Sequence, residues 1–334
     1  MRIETDVTRL LGIDLPIVQA GMSWASSCAA LPLAVSNAGG LGVVAAGPMR
    51  PGDLADVLAA MAAGTDRPWA VNVPLYRPGA EVILDLLAER HVPVLIASQG
   101  GPKRYLDRFK AQGTVCLHVV AGEEHAWKAA KAGVDGLVVV GAEAGGHPPP
   151  DLVSTLVVVR AVARRLGGRV PIVASGGFAD GAGLAAALAL GAGAAQFGTR
   201  FIATPEASVV AAYKECVVAA GVASTRAVGA GFGVIRALAN AFTDRMGAME
   251  RDGADIEMRR AVFATATLKA AALDGDVDEG KVEAGQSAGL VDDIVPAGAL
   301  VHRIAREYLA AAEGLPRAAL AKGTVERRSE PAPA

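Results

Sequence analysis

The chain has 334 residues, of which 52% are hydrophobic and only 4% aromatic, and it carries a formal net charge of −2. A net charge this close to zero does not provide the positively charged surface that nucleic-acid binding needs. No apolar run approaches the roughly 20 residues of a membrane span, and the charged N-terminus lacks the apolar core of a signal peptide. These features predict a cytoplasmic protein that binds neither nucleic acid nor membranes.

Eight apolar, β-rich runs alternate with segments of helical periodicity. The runs lie at residues 16–20, 40–46, 69–74, 92–98, 114–120, 136–143, 170–176 and 194–201. The helical segments lie at 53–63, 81–90, 103–112, 123–132 and 152–165, and a helix at 207–220 is expected to complete the outer ring. Such alternation implies a parallel sheet, and continuous Val/Ile/Leu runs imply burial on both faces. The sequence therefore predicts an α/β fold, a (β/α)8 TIM barrel over residues 1–220.

The segment from residue 221 to residue 283 fits no strand–helix unit. We expect it to form a small, mostly helical cap over the substrate. Residues 284–315 are expected to return to the barrel through an amphipathic helix at 297–312, and residues 316–334 to form a mobile tail.

Two glycine-bearing turns follow the seventh and eighth runs. Gly176, Gly177 and Gly198 have no Cβ, so the backbone can approach an anion closely and direct N–H groups at it. The helix expected from Asp180 onward adds the positive end of its dipole, with Asp180 as its N-cap. Because barrels often bind phosphate at the loops after strands seven and eight, these turns predict a phosphate site.

The other strand ends carry few charged groups. They offer Ala20-Gly21-Met22, Asn72, Ser98-Gln99-Gly100-Gly101 and Glu143-Ala144-Gly145-Gly146-His147. Small residues at so many strand ends leave room for a flat, large ligand across the barrel mouth. A phosphate at one end and a flat ring at the other describe FMN.

Several motifs occur in a specific order. They are QAGMSW, SNAGGLG, GAEAGGH, ASGGFADG, GTRF and AGQSAGL, and the resemblance they carry extends over residues 11–295. In this order the chain resembles the nitronate monooxygenase family, formerly called 2-nitropropane dioxygenases, and its close relatives, the FMN-dependent enoyl-acyl-carrier-protein reductases. The resemblance implies a flavoprotein with FMN as cofactor and no metal.

The resemblance also implies roles for individual residues. His147 would be the catalytic histidine, because an imidazole over a flavin can accept a proton or stabilise an anion. The implied FMN-binding residues, from the ring to the phosphate, are Ala20, Gly21, Met22, Asn72, Gly145, Gly146, Ser175, Gly176, Gly177, Gln196, Gly198 and Thr199.

The remaining polar residues near these motifs have structural interpretations. Glu143 is expected to hydrogen-bond within its loop. His91, His125 and His302 are expected on the surface, and the role of His118 is open.

One departure from the family pattern stands beside His147. Relatives usually have a glycine shortly after GGH, whereas this chain has Pro148-Pro149-Pro150. Proline fixes φ and removes the N–H donor, so this loop should be stiffer than in relatives or follow a different course.

The three cysteines are scattered, without CxxC spacing, and predict neither disulfide nor zinc site. The glycine pattern also resembles IMP dehydrogenase and GMP reductase barrels, but those need a nucleophilic cysteine after strand six, where this chain has His147. A barrel that binds without catalysis is a further alternative.

Two reactions fit the implied site. In the first, an alkyl nitronate is oxidised with O2; in the second, NAD(P)H reduces FMN, which then reduces an enoyl thioester or a quinone. The candidate cap carries eight Lys and Arg against nine Asp and Glu between residues 221 and 281, a poor docking face for an acidic carrier protein. We therefore rank nitronate monooxygenase first. The expected partners are a small-molecule substrate together with O2 or with NAD(P)H. Whether the chain forms a homodimer is left open.

Overall fold

Eight strands in the computed structural model, which describes residues 1–316, form one parallel sheet. They are β1 Ile17–Gln19, β2 Gly42–Ala45, β3 Trp69–Pro74, β4 Val94–Ser98, β5 Val115–Val120, β6 Gly136–Val140, β7 Ile172–Ser175 and β8 Ala194–Phe197. The sheet runs in the order β1-β8-β7-β6-β5-β4-β3-β2. Each strand lies within one of the eight predicted runs, so the predicted barrel is confirmed.

Gln19 closes the barrel between β1 and β2. Its backbone N–H donates to the Leu41 carbonyl at 3.0 Å. Its buried side chain accepts from the Val43 N–H at 3.0 Å and donates to the Val43 carbonyl at 3.1 Å. Because β1 is short, this amide supplies hydrogen bonds that a longer strand would make with its backbone.

Helices surround the sheet and extend beyond it. They are α1 Asp6–Leu11, α2 Ala30–Asn37, α3 Pro51–Gly64, α4 Ala80–Glu89, α5 Leu106–Ala111, α6 Glu123–Ala132, α7 Thr155–Leu166, α8 Gly181–Ala189, α9 Thr199–Ile202, α10 Ala211–Val218, α11 Ala241–Arg251, α12 Ile256–Thr265 and α13 Ala297–Glu313. Short 3-10 turns lie at Pro102–Arg104 and Gln286–Leu290, and a π-helical turn lies at Ala270–Asp274.

The outer ring is completed by α13, which corrects the expectation that the helix at 207–220 would do so. Only α9 directly follows β8, and it has 4 residues. α13 packs between α8 and α2, so closely that a Cβ on Gly181 would lie 2.1 Å from the Tyr308 nitrogen. α10 instead buries Tyr213 and Val217 against residues of the segment that follows it.

The segment from residue 221 to residue 283 contains a β-hairpin that the sequence analysis did not predict. Its strands are β9 Thr225–Val228 and β10 Ile235–Leu238, paired antiparallel. The helices α11 and α12 and the π-helical turn make up the rest, so helices predominate there as expected.

The core leaves only one end of the barrel open. Alternate strand residues, among them Val43, Ile96 and Val138, fill the barrel interior together with Val7 and Leu11 around α1. α1 lies at the N-terminal ends of the strands, where the Thr5 hydroxyl donates to the Gly193 carbonyl at 2.7 Å. The opposite end, where the strands end, is where the predicted site residues lie.

The tail expected at 316–334 lies, apart from Pro316, outside the described residues. None of the helices within residues 1–316 has the length and apolarity to cross a bilayer.

Candidate functional site

The turns after β7 and β8 line one cavity of about 70 Å³, here called the β7/β8 cavity. Its walls include Gly176, Gly177, Gly198 and Thr199. Gly176 has a φ of 110°, and a Cβ there would lie 2.7 Å from the Thr155 hydroxyl oxygen, so both conformation and space require glycine. The structure thus brings together the residues implied to hold a phosphate.

Ser175 and Gln196 join the ends of β7 and β8. The Gln196 amide nitrogen donates to the Ser175 hydroxyl oxygen at 2.9 Å, and both side chains line the β7/β8 cavity. Asp180 caps α8 by accepting from the Gly183 N–H at 2.8 Å, which confirms its predicted role. This bond directs the Asp180 carboxylate to its own helix.

Gly285 and Ser287 also line the β7/β8 cavity, although the sequence analysis did not include them among the site residues. The Gly285 N–H donates to the Thr199 hydroxyl oxygen at 2.8 Å, and the Gln286 N–H donates to the Glu143 carbonyl at 2.9 Å. These bonds hold the AGQSAGL motif against the barrel mouth. Gly285 and Ser287 could have been identified from the sequence, because AGQSAGL is one of the motifs that carry the family resemblance.

A second cavity of about 120 Å³, the cap cavity, lies between the barrel mouth and the 221–283 segment. Barrel residues implied to bind FMN form one side of it, namely Gly21, Met22, Gly145, Gly146, Gly198 and Thr199. The other side is formed by Tyr213, Leu268, Ala272 and Glu283, among others. Because Gly145, Gly198 and Thr199 line both cavities, the cap cavity and the β7/β8 cavity adjoin.

Ala20 and Asn72 lie beside these cavities rather than in their walls. A Cβ on Gly21 would lie 2.5 Å from the Asn72 Cβ, so Asn72 packs directly against the Gly21 backbone. The Asn72 amide nitrogen donates to the Ile96 carbonyl at 3.0 Å. Ala20 donates its N–H to the Phe197 carbonyl at 2.9 Å, which extends the pairing of β1 with β8.

The loop after β6 is fixed by Glu143, as predicted. The Glu143 carboxylate accepts from the Ser154 hydroxyl at 2.9 Å, the Thr155 N–H at 2.8 Å and the Thr155 hydroxyl at 2.6 Å. Burial opposes ionisation of this carboxyl, but these hydrogen bonds outweigh it and hold the pKa of Glu143 below its ordinary value. Glu143 is therefore an ionised anchor rather than a proton carrier.

His147 follows two glycines on this loop and lines a third cavity of about 1060 Å³, the β4–β6 cavity. The loop is a shared wall, because Gly145 and Gly146 line the cap cavity while residues 147–150 line the β4–β6 cavity. The surrounding protein and the nearby ammonium of Lys281 lower the pKa of His147. The imidazole is accordingly neutral near pH 7 and can accept a proton.

His118 also reaches the β4–β6 cavity, from β5. Its Nδ1 lies 2.9 Å from the Tyr105 hydroxyl, and burial lowers the pKa of His118 and raises that of Tyr105. The Tyr105 hydroxyl therefore stays protonated and can donate a hydrogen bond to Nδ1 of His118. His91, His125 and His302 are exposed as predicted, but His125 also lies at the wall of this cavity, which the sequence did not indicate.

The β4–β6 cavity is lined by positive charge. Its walls contain Lys103, Arg104, Lys128 and Lys131 besides the three histidines 118, 125 and 147, and no Asp or Glu of residues 1–316 lines it. Arg104 pairs with Glu81 and Lys128 with Glu124, whereas Lys103 and Lys131 make no salt bridge within the described residues. The sequence did not show this grouping, because Lys103 and Arg104 come from the segment after β4 whereas Lys128 and Lys131 come from α6.

No cluster of three or more metal-ligating side chains occurs within residues 1–316, and Cys116 is buried while Cys28 and Cys216 are half-buried.

Comparison with known proteins adds to this geometry. A model of the nitronate monooxygenase family matches residues 4–82 and 79–307. The (3aS,4S,5R,7aS)-5-hydroxy-7a-methyl-1-oxo-octahydro-1H-indene-4-carboxyl-CoA dehydrogenase of Mycobacterium tuberculosis is 33% identical, over 91% of this chain and 96% of the relative. A nitronate monooxygenase of Paraburkholderia phytofirmans is 32% identical, over 92% and 95% of the two chains.

A solved structure is also similar. FabK from Thermotoga maritima superposes with a TM-score of 0.87 at 37% identity, covering 93% of this chain and 98% of that one. Family, relatives and fold agree, and the chain belongs to the nitronate monooxygenase family of oxidoreductases.

Proposed function

We propose that this protein is an FMN-dependent oxidoreductase whose substrate is an acyl thioester with an anionic carrier group, such as a coenzyme A ester. The observation that carries this proposal is the β4–β6 cavity, which is lined by four Lys and Arg side chains and by no carboxylate of residues 1–316. A cavity lined by positive side chains raises the local concentration of negatively charged ligands. It therefore suits a ligand that carries several negative charges.

The size of the cavity supports the same conclusion. At about 1060 Å³ it lies at the upper end of ordinary ligand pockets. A simple alkyl nitronate would fill a small part of it, whereas the phosphates and pantetheine arm of coenzyme A would extend along it. Lys103 and Lys131 have no salt bridge within residues 1–316, although the Lys131 ammonium lies 5.2 Å from the ring centroid of Trp127, and they are the side chains best suited to phosphate groups.

The residues around the two smaller cavities fit FMN. Gly176, Gly177 and Gly198 would present backbone N–H groups to its phosphate, and Gly21 and Gly145 would leave space for its ring. The bound flavin would supply two-electron chemistry. The chain's own contribution would be to hold and orient both ligands, and to take up or release a proton at His147.

The relatives support a thioester as well. The M. tuberculosis relative bears a carboxyl-CoA compound in its name and matches this chain over nearly its whole length. This similarity supports a thioester as the class of substrate, but it does not indicate that the acyl group is the one named for the relative.

Nitronate oxidation, which the sequence ranks first, is the second candidate. It is favoured by the P. phytofirmans relative and by the neutral state of His147, which would allow that side chain to accept a substrate proton. In this reaction the nitronate would be the reductant and O2 the oxidant, without NAD(P)H, and the cavity cations would have no phosphate to bind.

The test compares the two classes of ligand on the purified holoenzyme. We expect coenzyme A to bind in calorimetry, and the double change Lys103→Gln with Lys131→Gln to weaken that binding about tenfold, or about 1.4 kcal/mol. The control is Lys269→Gln, which removes one positive charge from an exposed site outside the cavity, and each single variant, Lys103→Gln and Lys131→Gln, is compared with it.

The contradicting result is equally defined. The thioester proposal fails if coenzyme A does not bind and the yellow protein is bleached without oxygen by propyl-2-nitronate alone. Bleaching only by NADH or NADPH excludes nitronate oxidation as the main reaction. A colourless protein that cannot be loaded with FMN would exclude both.

A further inference from the structure

Glu283 places a carboxyl group in the cap cavity, opposite the barrel glycines. Its Oε2 lies 3.1 Å from the point where a Cβ on Gly146 would stand. The same cavity is lined by Gly21, Met22 and Gly198, which are among the residues proposed to surround the flavin. Neither the motifs nor the proposed function assigns a role to Glu283.

The backbone around Glu283 fixes the direction of the side chain. The Glu283 carbonyl accepts from the Tyr213 hydroxyl at 2.8 Å, and Glu283 forms an antiparallel bridge with Ala237 of β10. The Leu238 N–H donates to the Val282 carbonyl at 2.8 Å. This pairing fixes the backbone of Glu283 at the wall of the cap cavity.

The Glu283 carboxylate has no partner. Within residues 1–316 it accepts no hydrogen bond and has no salt bridge within 4.0 Å. The nearest cation, Lys281, is held elsewhere: its Nζ lies 3.5 Å from the ring centroid of Phe263 and 5.7 Å from that of Phe242. An unpartnered carboxylate on a cavity wall repels any anion that enters the cavity.

Other ionisable groups lie on the elements around Glu283. Tyr213 of α10 lines the cap cavity itself, Lys281 stands two residues before Glu283, His147 lies on the far side of the loop after β6, and Arg236 lies on β10. Arg236 is directed elsewhere, at the Ala142 carbonyl and the Thr225 hydroxyl. Burial raises the pKa of Glu283 to about 7, with Lys281 opposing the rise, so the carboxyl ionises near neutral pH.

We propose that Glu283 determines specificity by charge: its carboxylate, on the side of the cap cavity opposite the barrel glycines, excludes small anions from beside the flavin and favours a neutral reacting group, such as the acyl chain of a thioester. This inference rests on the proposed function for the identity of the neutral group. Substrate selection would then be divided between two places. Lys103 and Lys131 would hold the charged carrier, and Glu283 would keep negative charge away from the reacting end.

The test uses nitrate, a small planar anion, as the probe, with binding to the FMN-loaded protein measured by calorimetry. At pH 8.5 the change Glu283→Gln should tighten nitrate binding at least tenfold, because it removes a like charge while keeping the shape of the side chain. At pH 6 the wild type and the variant should differ by less than about threefold, since Glu283 is then protonated. The control Glu279→Gln removes a nearby exposed carboxylate that pairs with Arg245 and should change nothing.

A pH series on the wild type tests the same point without any substitution. Nitrate affinity should fall as the pH rises from 6.5 to 8.5, a range that lies above the lowered pKa of His147. Loss of charge from Lys281 would act in the same direction, so the difference between wild type and Glu283→Gln isolates the contribution of the carboxyl.

Equal nitrate affinity in wild type and variant at pH 8.5, or a flat pH series, overturns the inference. These outcomes are distinct from failure of the proposed function. That failure would appear as absence of FMN or of coenzyme A binding in the wild type itself, whatever nitrate does. A second substitution, Glu283→Met, repeats the comparison should the glutamine variant prove unstable.

Discussion

Gly146 and Arg236 exchange a pair of backbone hydrogen bonds, from the Gly146 N–H to the Arg236 carbonyl at 3.1 Å and from the Arg236 N–H to the Gly146 carbonyl at 2.7 Å. The loop that carries His147 is thereby paired with β10, an element far away in sequence. The position of His147 consequently depends on the 221–283 segment as well as on the barrel.

The Arg236 side chain strengthens this connection. Its guanidinium is buried and donates to the Ala142 carbonyl at 3.0 Å and to the Thr225 hydroxyl at 3.1 Å. We expect Arg236→Met to lower the free energy of unfolding by about 1–3 kcal/mol, because buried acceptors lose their donors. Urea denaturation measures this, with the exposed Arg226→Met on the paired strand as control. Equal stability of the two variants would show that the guanidinium does not hold the loop.

His147 is predicted to act in turnover rather than in flavin binding. His147→Ala should keep the yellow colour and slow turnover about 10²-fold or more, the usual contribution of a positioned acid or base. Absorbance near 450 nm and steady-state kinetics check the two parts. His302→Ala, an exposed histidine on α13, is the control. Loss of colour in His147→Ala would instead assign His147 to the structure of the site.

The barrel could be predicted because its strands are continuous apolar runs that end at glycine or small residues. Gly176 and Gly177 indicated a turn whose backbone can approach a ligand closely, and both residues have positive φ. The hairpin of β9 and β10 could not be predicted in the same way. Its strands are four residues long and the turn between them contains Gly229, Gly231 and Gly233, so no period-2 pattern is long enough to detect.

The parts of the site that the sequence did not predict depend on contacts between distant segments. Glu283 reaches the cap cavity only because its backbone pairs with Ala237. Lys103 and Lys131 meet at one cavity because successive βα units are neighbours around the barrel. Single charged residues of this kind are common in any sequence, and only the folded arrangement separates them from ordinary surface residues.

Lys281 should control the protonation of His147. Partial desolvation by the surrounding protein and the ammonium charge both lower the pKa of His147, so its neutral form persists below the ordinary pKa of about 6.5. Lys281→Met keeps the aliphatic stem over Phe263 but removes the charge, and the pKa of His147 should rise. NMR titration of the imidazole measures this directly, and the acidic limb of the pH–rate profile should move to higher pH. Lys269→Met, an exposed lysine, serves as control, and an unmoved His147 titration in Lys281→Met would mean that burial alone sets the value.

Gly176 should be indispensable for FMN binding because two separate constraints meet there. Gly176 lines the β7/β8 cavity. Its φ of 110° strains any other residue, and an added Cβ would lie 2.7 Å from the Thr155 hydroxyl oxygen. We expect Gly176→Ala to weaken FMN binding at least tenfold, measured by fluorescence quenching of added FMN. Gly168→Ala separates the two causes: Gly168 has a φ of 77° but nothing within 4 Å of an added Cβ. It should lose stability without losing affinity for FMN, because strain alone does not alter the phosphate site. If both variants bind FMN as the wild type does, the turn after β7 does not hold the phosphate.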